Sequence, residues 1–234
     1  MNHFITPSKL SLFSRSPVIG AWWEELESRG LLERSKPDPS ALDQQLFADG
    51  LRHEQVLLAK LEGQGARVAR LQGKQNETDY AATKAAMEEG FDFIHQASLC
   101  NDELRGSADL LRRIEQPSCL GPWAYIPIEC KLATKPKTTF LVQALAYCEL
   151  LTPLLGGRPD QFDLYLGGGR FQRYSTDQFW SWYQLLRARY RAFREAFDPQ
   201  VIPDDMPGDH AGWSSFIEQR LVEQRDLMLV ANMR

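Results

Sequence analysis

The sequence predicts an α/β fold, a central mixed β-sheet flanked by helices, with helical N- and C-terminal additions. Three observations predict it. Across residues 41–167 the apolar pattern runs from a helical period to short strand-like runs, back to a helix and on to a strand. Glycines and prolines punctuate these changes, at Gly63, Gly65, Gly90, Pro117, Pro122, Gly156 and Gly157. Two neighbouring strand-like runs, 107–114 and 125–132, carry acidic residues where a plain core strand has none.

Thr6-Pro7 before SKLSLFSRS reads as an N-cap and a first-turn proline, hence a short helix ended by Ser16-Pro17. Residues 20–29 form a second helix containing Trp22 and Trp23, and residues 36–40, with two prolines, form a loop. Over 41–62, Leu42, Leu46, Phe47, Leu51, Val56, Leu57 and Leu61 mark a long amphipathic helix closed by Gly63 and Gly65. A short strand follows at 67–72, then a helix at 76–89 with Gly90 as its C-cap, and a strand at 91–99. After the two acidic strands, residues 138–155 form a helix capped by Thr138 or Thr139. Residues 161–167 and 170–174 make a hairpin around three glycines. A long aromatic helix spans 176–197, and a Pro/Asp-rich linker leads to a last amphipathic segment at 213–225. The expected organisation is one domain over 1–234, with a core at about 41–175 and helices at 1–35 and 176–234 packed on it.

Hydrophobic content of 43% and a net charge of -4 describe a globular protein that is not a polycation, which disfavours indiscriminate nucleic-acid binding. No apolar run approaches the ~20 residues of a membrane span, and MNHFITPSKL lacks the features of a signal peptide. The expected location is therefore the cytoplasm. Cys100, Cys119, Cys130 and Cys148 form no CxxC pair and read as small core residues. The chain ends at Arg234 in RDLMLVANMR without a closing element, which fits a domain of a longer protein or a small protein.

Asp109, Glu129 and Lys131 are the candidate chemistry. Burying a carboxylate is costly unless something pairs with it. Glu129 and Lys131 are two apart on a strand and share a face, Cys130 points to the other, and Asp109 reaches the first face if the strands are neighbours. Two carboxylates, with the backbone carbonyl of Cys130, match the oxygen ligands that Mg²⁺ or Mn²⁺ takes beside a phosphate. Such a cation lowers the pKa of water, and a neighbouring lysine offsets charge developing on phosphoryl oxygens. A plainer reading makes Glu129 and Lys131 a solvated strand face ion-paired to Asp109 or Arg112. The apolar Ile126, Ile128 and Leu132 argue for a central strand instead. His53 in GLRHEQ reads alone as a helix-surface histidine and gains weight only if the carboxylates lie opposite; His95 reads as structural or surface. Gln143 and Tyr147 are four apart and share a helix face. Arg187, Arg189, Arg191 and Arg194 fit a DNA channel or a solvated face equally, and Trp180 and Trp182 fit core packing better than base stacking.

Gly106-Ser-Ala-Asp109, Ile128-Glu129-Cys130-Lys131 and Gln143-Ala-Leu-Ala-Tyr147, in this order after His53, resemble the motifs of RecB-type nucleases of the PD-(D/E)XK superfamily. The resemblance is strongest over 41–157 and extends more distantly to CRISPR adaptation and AddAB nucleases. It implies a restriction-endonuclease-like core and a Mg²⁺- or Mn²⁺-dependent deoxyribonuclease. It implies action on single-stranded DNA or DNA ends in repair, recombination or defence, beside a helicase or a ribonuclease-H-like domain or partner and away from membranes. It further implies that His53, Asp109, Glu129 and the Cys130 carbonyl hold the metal, that Lys131 is catalytic, and that Gln143 and Tyr147 position DNA. Many relatives clasp their ends with an iron–sulfur cluster. Here Ser16 and HAGWSSFI (210–217) stand where those cysteines would fall, so no cluster is expected, and a packing clasp through Trp213 and Phe216 replaces it. The alternatives are a catalytically silent DNA-binding module of a larger helicase/nuclease assembly and an ordinary α/β interaction domain.

Overall fold

A computed structural model describes residues 4–32 and 41–224. The expected loop at 36–40 and the end of the last segment, Arg225, lie outside these residues. The chain builds α1 (Pro7–Arg15), α2 (Ile19–Ser28), α3 (Ala41–Gly63), β1 (Val68–Arg70), α4 (Glu77–Glu89) and β2 (Phe93–Cys100). It continues through β3 (Arg105–Ile114), β4 (Ala124–Lys131), α5 (Thr138–Leu155), β5 (Gln161–Leu166), β6 (Arg170–Ser175) and α6 (Asp177–Glu195). A 3₁₀ turn (Ala211–Trp213) runs into α7 (Ser214–Gln224). Local chemistry sets several boundaries. The Thr6 hydroxyl accepts from the Lys9 amide at 3.2 Å, Asn76 caps α4 by accepting from the Asp79 amide at 2.9 Å, and left-handed Gly90 ends α4.

The six strands form one mixed sheet in sequence order, β1 to β6. β1–β2 and β4–β5 are parallel, and the other neighbours are antiparallel. Parallel neighbours need a crossover, and α4 and α5 supply the two. On one face α5 buries Val142, Leu145, Leu150 and Leu151 with Ile94, Leu111, Tyr125 and Phe162, and α1 adds Leu10 and Phe13. On the other, Leu57 and Leu58 of α3 meet Leu110, Ile128, Cys130 and Tyr165.

The structure corrects some expectations. α3 is a helix as predicted, but Leu42, Leu46, Phe47, Leu51 and Val56 are 46–70% exposed, and only its C-terminal part docks on the sheet. Periodicity marks a face as apolar; coverage depends on what lies opposite. α5 starts at Thr138, yet its N-cap is Lys137 and no side chain caps its first turn. α5 is also, among the described residues, the one helix long and apolar enough to cross a membrane, which the sequence reading missed; its buried residues lie in the core. Three of the four arginines of α6 are neither a free channel lining nor a merely solvated face, while Arg189 is exposed. Arg187 is buried and paired with Glu149 at 2.9 Å and Glu103 at 3.1 Å, Arg191 reaches Glu103 at 2.6 Å, and Arg194 reaches Glu25 at 3.2 Å. They staple α6 to α5, to α2 and to the turn before β3. Trp180 packs on the core beneath the Arg158 guanidinium, 4.4 Å away, whereas Trp182 stays exposed.

The expected clasp is made by packing. Trp213, Phe216, Ile217 and Leu221 form one cluster with Leu12, Ile19, Trp22, Trp23 and Leu26. Trp23 stacks on Trp213 at 6.3 Å and meets Phe216 edge-on at 5.0 Å. Beside them Ser16 Oγ and His210 Nδ1 share a 2.7 Å hydrogen bond, and Arg15 pairs with Asp209. Trp213→Ala should lower stability by ~3–5 kcal/mol, the usual range for emptying a large aromatic site. Phe47→Ala, on the exposed part of α3, should change it by less than ~0.5 kcal/mol. Urea unfolding of both variants reads the difference, and equal losses would refute this account of which apolar faces are covered.

Candidate active site

The site lies where two strands part. β3 pairs with β4 from Leu110↔Ile128 to Ile114↔Ala124, and there the ladder ends. Beyond it β4 continues beside β5 through Glu129, Cys130 and Lys131, while β3 continues beside β2. Asp109 and Glu129 are the first residues past the fork. β2 is disturbed at the same level: Gln96, at φ 53°, is skipped between the His95↔Leu110 and Ala97↔Ala108 pairs. The Cys130 amide, with no β3 carbonyl to meet, donates to Asp109 Oδ2 at 2.8 Å. A side chain thus satisfies a backbone donor that the fork would otherwise strand.

Lys131 Nζ pairs directly with Glu129 Oε1 and lies 3.9 Å from Asp109 Oδ2. The Glu129 side chain is 3% exposed and that of Asp109 19%. Glu129 Oε2 is buried without a hydrogen-bond partner. Burial, and for Asp109 the charge of Glu129, push both carboxyls above the ordinary range, and Lys131 counteracts only part of this. Burial works against the Lys131 ammonium, but Glu129 and Asp109 outweigh it and keep the lysine protonated well into alkaline pH. Arg112 belongs elsewhere: it pairs at 2.8 Å with Asp163, which is buried and also held by Arg173 at 3.0 Å. The plainer reading, a solvated face balanced by Arg112, therefore does not describe this strand.

The two helices bring different residues. On α5, Gln143 lines an open cleft together with Lys131. Tyr147, expected at DNA, is buried, and its hydroxyl donates to the Ser107 carbonyl at 2.6 Å. It braces β3 two residues before Asp109. On α3, the His53 ring stacks on Tyr165 at 4.5 Å, on the sheet face that also receives Cys130, and its Nε2 is buried without a partner. Its neighbour Glu54 was not singled out from the sequence. Glu54 Oε2 accepts from His95 Nε2 at 3.3 Å and Gln96 Nε2 at 3.2 Å, and its charge helps raise both site carboxyls. His95 is accordingly a buried structural partner. The available signal was adjacency to His53, but only the orientation of α3 selects which of the two faces the carboxylates. Among the described residues no three His, Cys, Asp or Glu side chains form a group that already encloses a cation. The donor chemistry still fits one: Asp109 and Glu129 face a single ammonium, and Glu129 Oε2 is buried and unsatisfied.

No protein-family model matches this chain, and no curated protein matches it as a relative. The geometry must therefore carry the functional reading.

Carboxyls with raised pKa values hold protons more tightly folded than unfolded. Their contribution to stability is fully present below the ordinary carboxylate pKa of ~4 and is lost as pH rises through the raised values. Asp109→Asn keeps an acceptor for the Cys130 amide and removes one charge. It should raise metal-free stability at pH 8 and leave it nearly unchanged at pH 4, as read by denaturant unfolding. A gain as large at pH 4 would show that charge repulsion is not the cause.

Proposed function

We propose that this chain is a Mg²⁺- or Mn²⁺-dependent deoxyribonuclease with a restriction-endonuclease-like core, of the RecB type within the PD-(D/E)XK superfamily. The observation that carries the reading is the fork between β3 and β4, which gathers Asp109, Glu129 and Lys131 with an unsatisfied Glu129 oxygen. The run α3, β1, α4, β2, β3, β4, α5, β5, with antiparallel β2–β4 and β5 returning parallel to β4 through α5, supports the proposed core. Asp109 and Glu129, with the Cys130 carbonyl, are the proposed ligands, and a cation held there would supply Lewis acidity and a lowered water pKa. His53, the further ligand that the resemblance implies, stacks on Tyr165 on the sheet face that receives Cys130 and is not gathered with the two carboxylates. An iron–sulfur cluster has no place in this proposal, because Ser16 and the 210–217 segment hold the ends together by hydrogen bonding and packing.

The residues divide the work of hydrolysis. Water adds its oxygen to phosphorus, the bond from phosphorus to the leaving oxygen breaks, and the water protons pass to that oxygen and to solvent. Lys131, an ammonium paired with Glu129 and close to Asp109, acts as a fixed cation and donor that orients the attacking water or offsets charge on the phosphoryl oxygens. Gln143 faces the cleft and contacts the strand. Tyr147 acts indirectly, by fixing β3 under Asp109. Single-stranded DNA or DNA ends remain the proposed substrates, in the cytoplasm and beside a helicase-type partner.

End-labelled DNA should be cleaved with Mg²⁺ or Mn²⁺ and not with EDTA, and Lys131→Ala should lower turnover by at least ~100-fold while sparing folding. Mn²⁺ should also raise the melting temperature of the wild type and not that of Glu129→Gln. The second reading, a silent DNA-binding module, draws on the lack of a closed three-donor group among the described residues. Folded wild type that binds DNA, shows no Mn²⁺ stabilisation and never cleaves would establish it.

A further inference from the structure

One face of α1 is left unexplained by packing. Leu10 and Phe13 enter the core, but Ser8, Ser11 and Arg15, spaced three and four apart, share another face. That face forms one wall of a cleft of about 310 Å³. The opposite wall is Lys131, Thr139 and Gln143, so the cleft opens directly onto the proposed catalytic lysine.

Three features of this cleft favour a phosphate. Lys131 and Arg15 give it positive charge beside the carboxylates. Thr139 brings in the first turn of α5, whose positive dipole end carries no side-chain cap. Among the described residues Arg15 is paired only with Asp209, and the two side chains are 37% and 60% exposed. A pair this exposed is weak, so the guanidinium can exchange Asp209 for a phosphate and bind it with two hydrogen bonds.

The face is also held in place. Pro7 sits so close to β3 that a Cβ on Gly106 would lie 2.8 Å from its ring, three residues before Asp109. At the other end Ser16 is tied to His210. α1 is therefore fixed at both ends relative to the fork.

We propose that Ser8, Ser11 and Arg15 on α1 bind the nucleic-acid phosphate next to the one being cut, with Arg15 releasing Asp209 to do so. The proposal rests on the nuclease reading above and adds a positioning site to it.

The test uses Arg15→Ala, Ser11→Ala and Asp209→Ala with a fluorescein-labelled single-stranded oligonucleotide, read by anisotropy in EDTA and by cleavage in Mn²⁺. Arg15→Ala should raise Kd about tenfold, the loss of one charge-assisted hydrogen-bonded contact. It should lower the slope of log K against log salt by about 0.7, and raise KM more than it lowers kcat. Ser11→Ala should weaken binding less, and Asp209→Ala should leave it unchanged or tighten it. If Arg15 serves only to pair with Asp209, both variants behave alike, and that result overturns the proposal. Oligonucleotides with and without a 5′-phosphate separate the two sources of phosphate. Equal losses assign an internal diester, and a loss confined to the phosphorylated strand assigns a chain end. Cleavage by wild type with unchanged Kd and KM in Arg15→Ala sinks the subsite and leaves the nuclease reading intact. Arg15-dependent binding without any cleavage does the reverse, and no binding at all removes both.

Discussion

The fork between β3 and β4 is the constraint on which the rest of this structure depends. Strands that separate within a sheet leave ladder groups unpaired and open a gap in the core, so something must satisfy the freed backbone. Asp109 does this by accepting from the Cys130 amide, and the sheet gains neighbours on each side of the gap, β2 for β3 and β5 for β4. The same separation creates the space into which Asp109, Glu129 and Lys131 project. The candidate site and the left-handed Gln96 thus share one location. A buried and a partly buried carboxylate against one lysine are poorly balanced by the protein alone, an imbalance that the proposed cation would offset.

Much of the remaining architecture holds that fork in shape. Tyr147 fixes β3 from α5, Asp163 of β5 is locked between Arg173 on the adjacent β6 and Arg112, which reaches it across β4 from β3, and Leu57 and Leu58 press α3 onto the opposite face. The ends of the chain join in. α6 is stapled by Arg187 to Glu149 and Glu103, and Trp213 and Phe216 close the C-terminal segment over α2. α1, seated on β3 at Pro7 and tied at Ser16 to His210, becomes a wall of the cleft and not a mere appendage. Residues far apart in sequence therefore converge on one small volume.

The sequence made several of these features legible and left others out of reach. Asp109, Glu129 and Lys131 stood out because acidic residues interrupted apolar strands, a contradiction that burial cost alone makes visible. A clasp through Trp213 and Phe216 was expected from the resemblance, whereas the Ser16–His210 hydrogen bond beside it was not. The arginines of α6 were misjudged because a run of like charges looks the same whether it faces solvent, DNA or the glutamates of a neighbouring helix. Tyr147 was expected to touch substrate because helical spacing fixes its face and not the depth at which that face is buried.

What the sequence determined by itself was the order and type of the elements, the turn and cap positions at Thr6, Asn76 and Gly90, and the face shared by Glu129 and Lys131. These are local properties, set by periodicity, capping chemistry and the alternation of a strand. Only the tertiary structure decided that β3 and β4 part at Asp109, that Glu54 acts on the carboxylates beside His53, and that half of α3 stays uncovered. It alone also set α1 against Lys131. Each of these depends on the distance and orientation between elements, which follow from how whole faces pack together and from nothing within a single stretch of chain.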